Sequence, residues 1–327
     1  MRWVLFGCAA LSLVLVACGG SARATPQAEI GAGLAVPEAS IEATPTSVPT
    51  PVPTATSTPS SKIAPLQPAA WAPAPVLWRN STLPPVNAAA VIVMDEASGS
   101  VMYQQNAEAP LPPASLTKIA TAVVALKEGG LDQWVTVDVD YREMPRSSVM
   151  GLLPGDMFTL RDLLYGMILP SGNDAALAVG RAVAGSDEAF VSRMNALVAG
   201  LGLVETNFKN PHGLGAPGHE TSAYDLAILT RYAFSIDGFA QLVSTRSWSA
   251  RGSRTISMYN SNALVGQYAG ADGVKIGYTR SAGNTIVGSA TRNGHRVIVV
   301  LLNAPEHQAD CRELLDWAFA NFVWPEA

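Results

Sequence analysis

Cysteine is scarce in this chain, lysine is nearly as scarce, and no long apolar run is present. Three cysteines, at positions 8, 18 and 311, serve 327 residues. None has a second cysteine at metal-ligand spacing. That excludes a zinc site or a disulfide framework as the basis of the fold. Five of the 21 basic residues are lysines, and no Lys/Arg run or basic stripe occurs. With a net charge of −5, nucleic acid is not an expected partner. The apolar run from Val4 to Val16 is 13 residues long, short of the roughly 20 that span a bilayer.

What is present falls into three zones. Arg2 and the short apolar run read as a signal peptide over residues 1–17. The run ends in Leu15-Val16-Ala17-Cys18, followed by Gly19-Gly20, which resembles a bacterial lipobox. That resemblance implies that Cys18 is lipidated and becomes the N-terminus, anchoring an exported protein to a membrane; each buried methylene contributes about 0.8 kcal/mol. Residues 18–85 read as a disordered linker. Thirteen of the 23 prolines lie between Pro26 and Pro85, and only Glu29, Glu38, Glu42 and Lys62 are charged from Thr25 to Leu77. Such a composition buries too little apolar surface to offset its chain entropy. At about 3.1 Å per residue in polyproline form, it reaches on the order of 100 Å, a spacer between membrane and wall.

Residues 86–327 read as one folded domain; the chain is 48% hydrophobic, enough for a substantial core. AAVIVMDEASGSVMYQQ predicts two strands about a Glu96–Gly99 turn. Helical periodicity covers 115–128, 160–168, 173–183, 187–201, 223–234 and 309–322. Strand patterns cover 134–139, 253–258, 272–278, 285–291 and 296–302. Strands thus flank a helical block, as in an antiparallel sheet covered by helices. Cys311 falls in a helical pattern, where a buried structural thiol is expected.

Three stretches carry chemistry. In PPASLTKIAT, Ser115 and Lys118 stand three apart at a helix start and share a face, where the helix dipole favours developing negative charge. A serine hydroxyl is a poor nucleophile until a neighbour takes its proton, and lysine does this when burial and nearby positive charge lower its pKa. S-x-x-K alone is common by chance. The second stretch, Pro170-Ser171-Gly172-Asn173-Asp174, lies at a break between two helices; its plain reading is a helix N-cap. The third, Asp272-Gly273-Val274-Lys275-Ile276-Gly277-Tyr278-Thr279, holds another lysine on a strand; its plain reading is an edge strand with a solvated lysine.

In this order the three match the S-x-x-K, S-x-N and K-T-G signature of penicillin-binding proteins and serine β-lactamases. The chain resembles the low-molecular-weight penicillin-binding proteins, the D-alanyl-D-alanine carboxypeptidases of serine peptidase family S11. The likeness covers about residues 86 to 322, including LRDLLYGMILPSGNDAALAVG and NPHGLGAPGHETSAYDLAILTRYA. It implies an α/β, three-layer α/β/α serine β-lactamase/transpeptidase-like fold with an antiparallel sheet. It implies work on peptidoglycan stem peptides in the periplasm or cell wall, with β-lactam antibiotics as covalent inhibitors and no metal or cofactor. Ser115 resembles the nucleophile, Lys118 its general base and Ser171 a proton relay to the leaving group. Asn173 would bind a substrate amide. Lys275 would supply positive field and attract the terminal carboxylate. The N–H groups of Ser115 and Tyr278 would form the oxyanion hole, about 3 kcal/mol per donor. Gly277 would leave room for substrate along its strand.

Ile276 stands where the family usually has threonine, whose hydroxyl helps hold the terminal carboxylate. His307 stands where it often has arginine; Arg280 is a candidate substitute. Gly215 replaces a common acidic residue after His212-Gly213-Leu214, a stretch read as loop-shaping. On this reading no C-terminal β-domain or amphipathic anchor of the kind often found in this family is expected, and the lipid on Cys18 would take the anchor's place. Three alternatives stand beside a carboxypeptidase: an endopeptidase cutting cross-linked stems, a non-catalytic wall-binding lipoprotein, and a β-lactamase. No E-x-x-x-N lies between the second and third stretches to support the last.

Overall fold

A computed structural model describes residues 72–325. The expected signal peptide, Cys18 and most of the expected linker lie outside the described residues. In chain order the elements are β1 (Val76–Leu77), β2 (Ala90–Asp95), β3 (Val101–Gln105), a 3₁₀ turn (Ala114–Thr117), α1 (Lys118–Glu128), β4 (Trp134–Thr136), β5 (Met157–Thr159) and α2 (Leu160–Ile168). There follow α3 (Asn173–Ala184), α4 (Asp187–Gly200), α5 (Ala223–Phe234), α6 (Phe239–Ser244), β6 (Ser247–Arg251) and β7 (Thr255–Tyr259). The short α7 (Leu264–Gln267), β8 (Ala271–Thr279), β9 (Gly283–Arg292), β10 (His295–Leu302), α8 (His307–Asn321) and β11 (Phe322–Val323) complete the order.

Five strands form the central sheet, in the order β3-β2-β10-β9-β8, and every neighbouring pair is antiparallel. Side chains alternate across a strand, and here both faces are dry. Ile92, Met94, Ile298 and Val300 join the core shared with α1–α6. Val91, Val93, Val299 and Leu301 join a second core under α8. A strand covered on both faces is apolar throughout, which is why β2 reads AVIVMD. The result is the three-layer α/β/α arrangement with an antiparallel sheet. Helix starts follow local chemistry: Thr159, Ser186 and Ser222 each accept a hydrogen bond from the backbone N–H three residues on, as N-caps do.

Several boundaries differ from the sequence reading. The linker expected to run to residue 85 ends earlier. β1 pairs with β11, the Asn321 amide oxygen accepts from Ser81 Oγ at 2.7 Å, and Leu83 and Val86 pack against the second core. Proline density masked these apolar anchors. The strands expected at 134–139 and 253–258 are real but form separate two-stranded ribbons, β4–β5 and β6–β7. Cys311 is fully buried, as expected. A Cβ at Gly288 of β9 would collide with its sulfur, so glycine there makes room for the thiol.

Candidate active site

Ser115 does not sit on the α-helix that its spacing from Lys118 predicts. It occupies the 3₁₀ turn, and α1 begins at Lys118. In a 3₁₀ turn residues i and i+3 eclipse, so the two side chains still meet: Lys118 Nζ lies 2.9 Å from Ser115 Oγ. Ala114, just before the serine, is buried with φ of 50°, a left-handed conformation that costs a residue with a Cβ of order 1–3 kcal/mol. Thr285 Oγ1 of β9 donates to Pro113 O at 3.3 Å, tying the turn to the sheet.

Lys118 is completely buried. Its Nζ contacts two further acceptors, Asn173 Oδ1 at 2.6 Å and His212 O at 2.7 Å. Burial pushes the Lys118 pKa well below its ordinary value; the Lys275 charge lowers it further, and Asp174 opposes. Lys275 is also buried, its Nζ 3.0 Å from Ile276 O, and desolvation brings its pKa to about 7. It is therefore not the solvated lysine of the plain reading.

The second stretch lines the opposite wall. Gly172 caps α3 with no side-chain hydrogen bond, so neither Ser171 nor Asn173 serves as the N-cap. Asn173 turns its oxygen to Lys118. Ser171 is buried with φ of 65° and lines the cleft. What holds this wall is Asp174, which sequence reasoning quoted without assigning it a role. Its carboxylate accepts from the N–H groups of Met150, Gly151, Leu152 and Ala175 at 2.7–2.9 Å. The sequence offers only an acidic residue in the first turn of a helix, where anions are commonly favoured; its complete burial is a fact of the fold.

The loop at 210–214 closes the base of the site. Thr121 Oγ1 donates to Pro211 O at 2.7 Å, and His212 presents its main-chain carbonyl, not its ring, to Lys118. Burial and the neighbouring Lys118 hold the His212 ring neutral, with a pKa lowered to about 3. The loop-shaping role expected of His212 and Gly213 matches this geometry. No sequence pattern marks a backbone acceptor.

Together these elements line one cleft of about 470 Å³, holding Ser115, Ser171, Asn173, Gly277 and Tyr278, with Ile276, Arg280 and His307 along it. Gly277 also meets a packing demand that the sequence does not show. A Cβ there would stand 2.8 Å from Ser115 N and 2.7 Å from Thr285 Oγ1. The glycine lets β8 approach the nucleophile's turn while itself lining the cleft. Ile276 is half-buried and packs against the second core.

The family model for D-alanyl-D-alanine carboxypeptidases, peptidase family S11, matches residues 79–306. The chain belongs to this family. It is 38% identical over 256 residues to the D-alanyl-D-alanine carboxypeptidase DacC of Escherichia coli, covering 73% of this chain and 63% of that one. It is 33% identical over 246 residues to DacF of Bacillus subtilis, covering 72% and 63%, so it spans just under two thirds of these relatives' length. DacB2 of Mycobacterium tuberculosis is 36% identical over 240 residues, covering 70% of this chain and 81% of that one. Among solved structures, the Streptomyces K15 DD-transpeptidase aligns with a TM-score of 0.70 at 31% identity, covering 73% of this chain and 100% of that one. Penicillin-binding protein 6B of Escherichia coli aligns with 0.70 at 33%, covering 76% and 83%.

Proposed function

We propose that this chain is a serine-type D-Ala-D-Ala carboxypeptidase acting on peptidoglycan stem peptides through an acyl-enzyme on Ser115. One observation carries the reading: a buried Lys118, its pKa well below the ordinary lysine range, 2.9 Å from Ser115 Oγ. A neutral amine has two hydrogens and one lone pair. The hydrogens match Asn173 Oδ1 and His212 O, which leaves the lone pair for the serine proton. Ser115 Oγ then bonds to the carbonyl carbon of the penultimate D-Ala as its proton passes to Lys118. The oxyanion takes hydrogen bonds from Ser115 N–H and Tyr278 N–H. The amide C–N bond breaks, and Ser171 passes the proton to the departing D-Ala nitrogen. Water then attacks the ester, gives up a proton by the same base, and frees Ser115. Asn173 Nδ2, without a hydrogen bond among the described residues, is available to a substrate carbonyl. Lys275 draws the terminal carboxylate.

Ile276 supports a second reading, DD-endopeptidase action on cross-linked stems, because it offers no hydroxyl to a free terminal carboxylate. Labelled penicillin and product analysis test both. Covalent labelling lost in Ser115→Ala, with D-Ala released from a pentapeptide stem, is the expected result. Cleavage of cross-linked dimer alone would favour the second reading. Labelling that survives Ser115→Ala would move the nucleophile elsewhere, and an unlabelled wild type would leave a non-catalytic wall-binding lipoprotein.

The proposal extends to placement. The Leu15-Val16-Ala17-Cys18 stretch supports export with a lipid on Cys18, facing the periplasm or cell wall. Mass spectrometry of the mature N-terminus should find acyl chains on Cys18, and Cys18→Ala should release the protein from membranes. An unmodified N-terminus elsewhere refutes it.

A further inference from the structure

A one-way hydrogen-bond chain runs from a loop amide to the peptide unit that carries the nucleophile's N–H. The Lys209 backbone N–H meets His219 Nδ1 at 3.0 Å. An amide can only donate, so Nδ1 accepts. A neutral imidazole then carries its hydrogen on Nε2, which lies 2.8 Å from Thr117 Oγ1 and must donate to it. That leaves the threonine hydrogen for Ala114 O, also at 2.8 Å. Every donor in the series has an acceptor and no direction is ambiguous. His219 and Thr117 are both buried. Burial, with the nearby Lys209 charge, lowers the His219 pKa to about 4, so the tautomer persists at neutral pH.

The end of the chain matters because of peptide planarity. Ala114 C=O and Ser115 N–H belong to one trans peptide unit, and its oxygen and hydrogen point in opposite directions. Holding the oxygen therefore aims the hydrogen. The unit needs holding, since Ala114 is in a left-handed conformation, φ 50°. Ser115 N lies close beside β8: the missing Cβ of Gly277 would stand 2.8 Å from it. On the carbonyl side, a Cβ at Gly213 would strike Ala114 O and would stand 2.9 Å from Thr117 Oγ1, so that loop shields the bond from water. Hydrogen bonds in series also polarise one another, and donation to Ala114 O strengthens Ser115 N–H as a donor.

We propose that His219 and Thr117 are positioning residues that aim and polarise the Ser115 N–H of the oxyanion hole. The inference rests on the acyl-enzyme reading above and adds to it a control of transition-state charge. A purely structural role would alter stability and binding together. This role alters the acylation step alone.

The experiment follows labelled penicillin under rapid mixing, separating non-covalent binding from the acylation rate constant. Wild-type labelling at Ser115 comes first; without it the acyl-enzyme reading falls, and this inference with it. With wild type acylating, Thr117→Val should slow acylation about tenfold or more with binding unchanged; removing an oxyanion donor outright costs 10²–10³. Thr117→Ser, which keeps the hydroxyl, should recover to within about threefold. His219→Ala should repeat the Thr117→Val result and serves if that variant does not fold. Equal losses in Thr117→Val and Thr117→Ser, weakened binding with an unchanged rate constant, or a His219→Ala variant that acylates at the wild-type rate would each overturn the relay.

Discussion

Lys118 Nζ lies closer to Asn173 Oδ1, at 2.6 Å, than to Ser115 Oγ, at 2.9 Å. The base is thus held by a neutral amide, which accepts from an uncharged amine without favouring its protonation. A carboxylate in that place would stabilise the ammonium. Asn173→Asp should therefore raise the Lys118 pKa and slow acylation at pH 7 by at least tenfold, with partial recovery at higher pH. A rate loss that is flat across pH would assign Asn173 to substrate binding alone.

The two charges flanking Lys118 make opposite predictions. Lys275 lowers its pKa and Asp174 raises it. Acylation needs the neutral amine, so it should rise with pH through one ionisation below the ordinary value near 10.4. Where Lys275 is charged, below its own pKa of about 7, Lys275→Ala should move that transition up, yet leave it below 10.4, because burial is the larger cause. Asp174→Asn should move it down. That variant should also lose about 2–4 kcal/mol of stability, since a carboxylate holding four backbone amides is replaced by a group that cannot accept from all of them. Rate–pH profiles and thermal melts check both; shifts of the same sign would refute this division of roles.

Gly277→Ala places a methyl 2.8 Å from Ser115 N and 2.7 Å from Thr285 Oγ1. Overpacking of this kind costs about 1–3 kcal/mol, a fall in Tm of roughly 2–4 °C per kcal/mol for a domain this size. The turn carrying the nucleophile must yield, so penicillin acylation should drop more than tenfold. Normal acylation would mean that β8 and the turn can separate freely.

Ile276→Thr restores a hydroxyl beside the cleft. A hydrogen bond to a charged group contributes about 1.5–3 kcal/mol. kcat/KM on a pentapeptide stem should rise at least several-fold, and on cross-linked dimer change little. Equal changes, or none, would mean that Arg280 or His307, which line the same cleft, already hold the carboxylate.

The sheet and most helices were legible because capping residues and apolar periodicity mark them locally: α2 and α5 begin and end where their patterns do. Of the ribbons β4–β5 and β6–β7 only one strand each was legible, near 134–139 and 253–258; the partners were not, because β5 is three residues long and β6 has only Trp248 and Ala250 as apolar positions. In the site, the sequence brought Ser115, Lys118, Ser171, Asn173, Lys275, Gly277 and Tyr278 to notice, and the fold gathers them in or beside one cleft. It hid whatever acts through the backbone. The His212 carbonyl, the Ala114 peptide plane and the amides gathered by Asp174 have no side-chain signature. Gly277 was noticed for its absent side chain, but which neighbour needed the space is a tertiary fact.

Cys311 gives the folded domain a clock. It is the sole thiol among the described residues, wholly enclosed between α8 and β9, and burial pushes its pKa up, so little thiolate forms. A thiol reagent can reach it only when α8 lifts from the sheet. The rate at which the native protein consumes such a reagent therefore measures how often that outer layer opens. When reclosing is fast, the rate follows the opening equilibrium; when it is slow, it follows the opening step. Substrate or penicillin in the cleft, whose lining includes His307 and Gln308 at the start of α8, should slow that clock if occupancy steadies the layer.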